Sequence, residues 1–123
     1  MMKEMFTIQS YDTKEENLFG HTLRFDETHE VFAAHFPGNP IVPGAVLVDV
    51  MRAVATEILG VEAQVVTVKN AKFITVIVPK NDVLLKITTR YTLVGEDYLF
   101  KSVIADEEKI YAKFDLLVKG KAL

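Results

Sequence analysis

The sequence contains no cysteine, which excludes disulfide bonds and cysteine-based metal sites. The absence also fits a reducing compartment, so we expect a cytoplasmic protein. The longest apolar run covers residues 44–48, far short of the roughly 20 residues that span a membrane. We see no signal peptide at the polar start of the chain. The formal net charge of -3 indicates no surface for nucleic acid. We therefore expect neither a membrane nor a nucleic acid as partner.

What the chain does have is apolar residues, which make up 50% of its 123 residues. A chain of this length is typical of one domain, which we place at residues 1–123. It is long enough to bury a core without disulfides or metals. We find no repeat, linker or low-complexity segment in it.

One long helix is predicted near the middle of the chain. Pro43 suits its first position and Gly60 its C-terminal stop, so we predict a helix over residues 43–59. Its first three turns are apolar nearly all round, interrupted only by Asp49 and Arg52. Such a pattern indicates a largely buried helix.

The rest of the chain favours strands, at residues 18–25, 64–68, 71–78, 83–94, 98–105 and 110–118. Residues 30–34 suggest one helical turn, and residues 1–17 are either a loose lead-in or an edge strand. Short turns between successive strands predict antiparallel neighbours. The sequence therefore predicts an α+β fold, in which one central helix is wrapped by a curved antiparallel sheet of five to six strands.

A loop rich in proline precedes the helix and carries the first candidate for chemistry. Prolines at positions 37, 40 and 43 stiffen this loop. His35 stands directly before it, so its ring could be held in place as a base. The alternative is a histidine that is simply packed beside Phe36. His21 and His29 are interpreted as structural.

Two further candidates lie on the helix. Gly44 stands at its N-terminus, where unpaired N–H groups and the helix dipole stabilise a developing oxyanion. Asp49 lies among apolar residues, where burial favours a protonated carboxyl group that can act as a general acid. The alternatives are an ordinary Pro-Gly helix start and an i,i+3 ion pair between Asp49 and Arg52.

A base, an acid and an oxyanion site together suit the removal of water from a 3-hydroxyacyl thioester. The base takes the proton on C2, the acid protonates the leaving hydroxyl, and N–H donors stabilise the charge on the thioester oxygen. These residues resemble the hot-dog-fold 3-hydroxyacyl-acyl carrier protein dehydratases of fatty acid synthesis. The resemblance covers most of residues 18–118. Its pattern is His35-Phe36-Pro37, Pro40, Pro43-Gly44 and an acid fourteen residues after the histidine, here Asp49.

The resemblance implies a homodimer, or a trimer of dimers, in which His35 of one chain faces the partner subunit's Asp49. It implies that the Gly44 N–H binds the thioester carbonyl, that the Ile41 carbonyl orients the His35 ring, and that Phe36 lines the core or the acyl tunnel. The substrate would be a (3R)-hydroxyacyl chain on the phosphopantetheine of acyl carrier protein, giving a trans-2-enoyl product. No metal or bound cofactor is expected.

Two positions depart from the family pattern. The acid is aspartate rather than the glutamate of the general chain-elongating branch. Ala53 stands where the family has a glutamine that holds the acid, and alanine cannot do so. These departures indicate an offshoot branch. They leave open two other functions, a non-catalytic acyl-thioester-binding subunit and a hot-dog thioesterase that activates water with Asp49.

Overall fold

The computed structural model describes residues 4–35, 38, 40–80 and 82–120, without the side chains of residues 33 and 35. Its elements, in chain order, are β1 (Phe6–Tyr11), β2 (Phe19–Phe25), α1 (Glu30–His35), α2 (Gly44–Leu59), β3 (Ala63–Phe73), β4 (Leu85–Val94), β5 (Asp97–Ala105) and β6 (Ile110–Gly120). The strands form one antiparallel sheet of six, in the order β1-β2-β4-β5-β6-β3. This confirms the predicted architecture of one main helix and an antiparallel sheet.

The helix α2 was correctly predicted from its end signals. Pro43 is the N-cap residue, one position before the helix, and Gly60 closes it in the left-handed region with φ 73°. Glycine reaches this conformation without strain, and its N–H bonds the Thr56 carbonyl at 2.9 Å. The start and the stop of α2 therefore follow from two residues of restricted or special backbone geometry.

The core lies between α2 and one face of the sheet. Alternate residues of the strands are buried, which is the period expected when one face of a sheet packs against a helix. They include Leu23, Phe25, Leu85, Ile87, Phe114, Leu116 and Val118. On the helix, the buried side chains are Val46, Leu47, Val50, Met51, Val54 and Ala55. The helix is thus buried along one side, and its other side carries Asp49 and Arg52.

One long strand, β3, replaces the two strands predicted at residues 64–68 and 71–78. Register shifts near Val66 and Lys69 bend β3 without breaking its pairing with β6. The chain then leaves the sheet, because the N–H groups of Ile74 and Thr75 both bond the Tyr111 carbonyl. The apolar run that follows was wrongly predicted as strand. Its buried side chain, Ile77, instead lies beside the segment that leads into α2.

The pairing of β3 also corrects the expectation that successive strands are neighbours. That expectation holds for β4, β5 and β6, which form two consecutive hairpins. However, β3 lies at the edge of the sheet beside β6, with β5 and β6 between it and β4. The first strand, β1, forms the opposite edge, so residues 6–11 of the N-terminal segment are an edge strand. The two edges of the sheet therefore belong to β1 and β3.

Candidate active site

The N-terminus of α2 offers backbone N–H groups, as predicted. Pro43 has an extended backbone, and its carbonyl accepts the Val46 N–H at 3.0 Å and the Leu47 N–H at 3.4 Å. No described side chain caps this end. The N–H groups of Gly44 and Ala45 precede the first intrahelical bond, where the helix dipole is positive. This end of the helix can therefore stabilise an anionic oxygen.

An aromatic ring packs directly on Gly44. A Cβ atom placed there would lie 2.9 Å from Cζ and 3.1 Å from Cε1 of Phe73. The Phe73 ring is 56% exposed, and it makes an edge-to-face contact with Phe114 at a centroid distance of 5.7 Å. From the sequence alone, Phe73 could belong either to the core or to the wall of an acyl tunnel. The structure places it as a partly exposed wall beside the start of α2.

The segment before α2 is fixed by a bond to the crossover that follows β3. The Val42 N–H donates to the Ile77 carbonyl at 2.8 Å, and both side chains are buried. Ile41, next to it, is half-buried. The backbone of His35 ends α1, but the His35 side chain and Phe36 lie outside the described part of the chain. The roles of His35, Phe36 and the Ile41 carbonyl therefore stay predictions.

Asp49 is not buried within this single chain, contrary to the expectation from its apolar neighbours. Its side chain is 42% exposed, and the Arg52 side chain is 40% exposed. The Arg52 Nε–H donates to Asp49 Oδ1 at 2.9 Å, which is the i,i+3 pair weighed as the alternative. Four apolar residues around Asp49 in sequence are buried in the core on the other side of α2, namely Val46, Leu47, Val50 and Met51. Asp49 is thus a paired carboxylate on the open side of the helix.

Two grooves run along this open side and share Asp49. The first, which we call the α2–β3 groove, has a volume of about 620 Å³ and is lined by Ala45, Val48, Asp49, Arg52 and residues 62–65. The second, the β1–α2 groove, measures about 510 Å³ and is lined by residues 4–8, Asp49 and Ala53. Both volumes are within the usual range for small-molecule sites. The edges of the sheet thus flank α2, and Asp49 stands on the ridge between them.

The α2–β3 groove contains one predicted site residue, Asp49, and begins next to another, Gly44. It reaches from Ala45, the neighbour of Gly44, to Asp49 and Arg52. Gly44 and Asp49 are five residues apart, so they are separated by about 7.5 Å along the helix axis. Within one chain, the Asp49 carboxylate and the start of α2 therefore lie more than one helical turn apart.

Strand β1 also contributes to this region, which was not predicted from the sequence. Phe6 and Ile8 are half-buried against the core, and Met5 precedes them in the wall of the β1–α2 groove. The signal was present, since Phe6 and Ile8 alternate with polar residues as in a strand with one apolar face. Polar neighbours on both sides obscured this short alternation.

The other two histidines have structural surroundings. The Nδ1 atom of His29 accepts the Val31 N–H at 3.1 Å and so caps the start of α1. His21 is 2% exposed beneath α2, with its Nε2 atom 3.3 Å from Glu57 Oε1. Neither residue lines the two grooves that Asp49 shares. Their interpretation as structural residues agrees with these positions.

No group of three or more histidine, aspartate or glutamate side chains within the described ranges could hold a metal ion. The expectation that the protein needs no metal or bound cofactor stays a prediction. Among the described helices, none is long and apolar enough to cross a membrane.

Comparison with protein families gives a match over most of the chain. A family model described as ApeI-like, ApeI dehydratase, matches residues 11–114. A search of curated proteins gives no match.

Comparison with solved structures shows the fold. The dehydratase heterocomplex ApeI:P from Xenorhabdus doucetiae matches with a TM-score of 0.70 at 18% identity, covering 96% of this chain and 99% of that chain. An uncharacterized protein from Erwinia carotovora subsp. atroseptica matches at 0.64 and 18% identity, covering 93% of each. The PaaI protein of the E. coli phenylacetic acid degradation operon matches at 0.65 and 13% identity, covering 94% and 80%. The shared architecture is the predicted hot-dog fold.

Proposed function

We propose, because this chain belongs to the ApeI-like dehydratase family, that it removes water from (3R)-hydroxyacyl thioesters on acyl carrier protein and releases trans-2-enoyl thioesters. Membership of this family confirms the prediction of a dehydratase-type hot-dog offshoot. The substrate and the residues that act on it are our proposal. The observation that carries it is the position of Asp49, a carboxylate on the open side of α2, in a groove that begins beside Gly44.

The proposed reaction uses three groups. His35 takes the proton from C2, and the electrons of that C–H bond form the C2–C3 double bond. Asp49, in its protonated form, gives a proton to the C3 hydroxyl, which leaves as water when the C3–O bond breaks. The Gly44 N–H stabilises the charge that builds on the thioester oxygen. Each positioned proton transfer contributes about 10²–10⁴-fold and one oxyanion donor about 10²–10³-fold.

We further propose that the active unit is a dimer whose two sites each combine His35 of one chain with the partner subunit's Asp49. The edge strand β3 supports this proposal, because its outer edge has no neighbour among the described strands. Val66 and Val68 on this strand are 47% and 45% exposed, which is typical of a surface that another chain covers. A homodimer, a trimer of dimers and a pairing with a different subunit, as in the Xenorhabdus heterocomplex, are distinguished by native mass spectrometry.

The reverse reaction provides the test. Hydration of a trans-2-enoyl thioester on acyl carrier protein is followed by the loss of enoyl absorbance. We expect His35→Ala and Asp49→Asn each to lower the rate at least about 100-fold, because each removes a proton-transfer group. Glu15→Gln is the matched control, since it also replaces an exposed, arginine-paired carboxylate, 2.8 Å from Arg90. Full rates in both site variants would contradict the mechanism.

A thioesterase is the second candidate function. It is favoured by one observation, that Asp49 is paired with Arg52 and partly exposed to water, which suits a carboxylate that activates water. Release of free thiol from an acyl thioester, detected colorimetrically, distinguishes it from reversible hydration. A non-catalytic subunit with the same fold would bind acyl thioesters but show neither hydration nor thiol release.

A further inference from the structure

We propose that Arg52 is a positioning residue, whose guanidinium holds the Asp49 carboxylate on the β3 side of α2. This proposal rests on the proposed function of Asp49. It assigns a task to Arg52 that the family resemblance does not supply. The pair is the only side-chain hydrogen bond of Asp49 within the described part of the chain.

The two grooves explain why a positioning residue is needed. Asp49 lines both of them, so rotation about its Cα–Cβ bond can present the carboxylate to either one. Arg52 lines only the α2–β3 groove, and Ala53 lines only the β1–α2 groove. Because the polar partner lies on one side and a methyl group on the other, the ion pair favours the orientation towards the α2–β3 groove. This groove begins beside Gly44, and it borders the strand edge that a second subunit would cover.

The backbone of Arg52 is itself tied to β3. The Arg52 carbonyl accepts the Thr56 hydroxyl at 3.0 Å, and the Thr56 hydroxyl oxygen accepts the Ala63 N–H at 3.0 Å. Ala63 is the first residue of β3 and is buried. The helical turn that carries Arg52 is therefore linked through Thr56 to the strand that forms the other wall of the groove.

The expected signature is a loss of rate without a loss of stability. Exposed ion pairs contribute little to folding, so removal of Arg52 should leave the thermal midpoint almost unchanged. Misplacement of a reacting group by about 1 Å, in contrast, can lower a rate about 100-fold. Substitution of a residue that serves only stability would instead lower the thermal midpoint and leave the rate almost unchanged.

The test compares substitutions on the two faces of Asp49. Arg52→Met should lower kcat for enoyl thioester hydration about 10- to 100-fold with little change in KM, and Arg52→Lys should restore part of it. Adding Ala53→Gln to Arg52→Met should not restore the rate, since a glutamine at i+4 would donate to Asp49 from the side of the β1–α2 groove. Arg90→Met is the matched control, because it breaks an exposed arginine–carboxylate pair of similar length, with Glu15 at 2.8 Å. Neither residue of this pair lines the two grooves. Full kcat in Arg52→Met overturns the proposal.

A second readout separates this proposal from the proposed function. NMR three-bond couplings report the side-chain rotamer of Asp49 without any turnover. We expect one rotamer in the wild type and averaging among rotamers in Arg52→Met, with the dimer intact. If the wild type hydrates no enoyl thioester, the proposed function fails, but the couplings still show whether Arg52 positions the Asp49 side chain. If Asp49 averages among rotamers in the wild type, the positioning role fails whatever the activity.

Discussion

The contact between Gly44 and Phe73 leads to a prediction about how the start of α2 is held. Substitution of Gly44 by alanine places a Cβ atom 2.9 Å from Cζ of Phe73, closer than carbon atoms approach without displacement. Because the ring is 56% exposed, it can swing outwards rather than force the helix to move. Gly44→Ala should therefore fold, with the Phe73 ring displaced.

The size of the effect follows from what the ring loses. A displaced Phe73 gives up its edge-to-face contact with Phe114, at 5.7 Å and an interplanar angle of 79°. Such aromatic pairs contribute about 0.5–1.5 kcal/mol beyond their buried area. Alanine is a better helix former than glycine, and this offsets part of the loss. We expect a net destabilisation of no more than about 1 kcal/mol, measured by urea unfolding.

A double-mutant cycle tests the cause. In a Phe73→Ala background, Gly44→Ala should cost nothing or stabilise slightly, because the ring that it displaces is gone and alanine is the better helix former. Gly60→Ala is the control: Gly60 has φ +73° and nothing within 4 Å of its missing Cβ, so its cost is backbone strain and should add to that of Phe73→Ala. Distant sites add within about 0.3–0.5 kcal/mol. Additivity of Gly44→Ala and Phe73→Ala would refute the reasoning.

Two further predictions concern polar contacts away from the site. The Tyr111 hydroxyl donates to Asp106 at 2.5 Å, and this bond, with burial, raises the pKa of Tyr111 from 10.0 to about 12. The contribution of this bond to folding stability is fully present below pH 10.0 and is lost as the pH rises towards 12. Asp106→Asn removes the charged acceptor and should therefore lower the Tyr111 pKa in an NMR titration, whereas an unchanged pKa would contradict this. The hydroxyl groups of Thr89 and Ser102 bond each other at 2.9 Å in the core. Thr89→Val should cost about 1–3 kcal/mol by orphaning Ser102, and adding Ser102→Ala should cost less than the two single changes summed, whereas additive costs in urea unfolding would exclude the pairing.

The sequence was sufficient to predict those parts of the fold that are encoded locally. Pro43 and Gly60 restrict the backbone at the ends of α2, and alternating apolar residues mark the hairpins of β4, β5 and β6. The crossover after β3 was missed because it depends on distant partners. The Tyr111 carbonyl takes both the Ile74 and Thr75 N–H groups, and no local pattern specifies that choice.

The candidate site also combines features that are encoded locally with features that depend on distant residues. The position of Gly44 at a helix N-terminus follows from neighbouring residues and was correctly predicted. The surroundings of Asp49 do not follow from its neighbours in sequence, because most of these apolar residues lie on the far side of the helix. Which side of α2 stays open depends on where β1 and β3 end, so the choice between a buried acid and an Arg52 ion pair could not be made from sequence.

Mixing two inactive variants tests most directly the central claim, that a dehydratase site is shared between two chains and uses Asp49. A mixed dimer of a His35→Ala chain and an Asp49→Asn chain contains one site with both wild-type groups if the site is shared, and none if each chain builds its own. After subunit exchange, half of the dimers should be mixed, each with one intact site. We therefore expect recovery of about a quarter of the wild-type rate of enoyl thioester hydration. An active wild type with no recovery in the mixture, although mass spectrometry detects the mixed dimer, would contradict the claim.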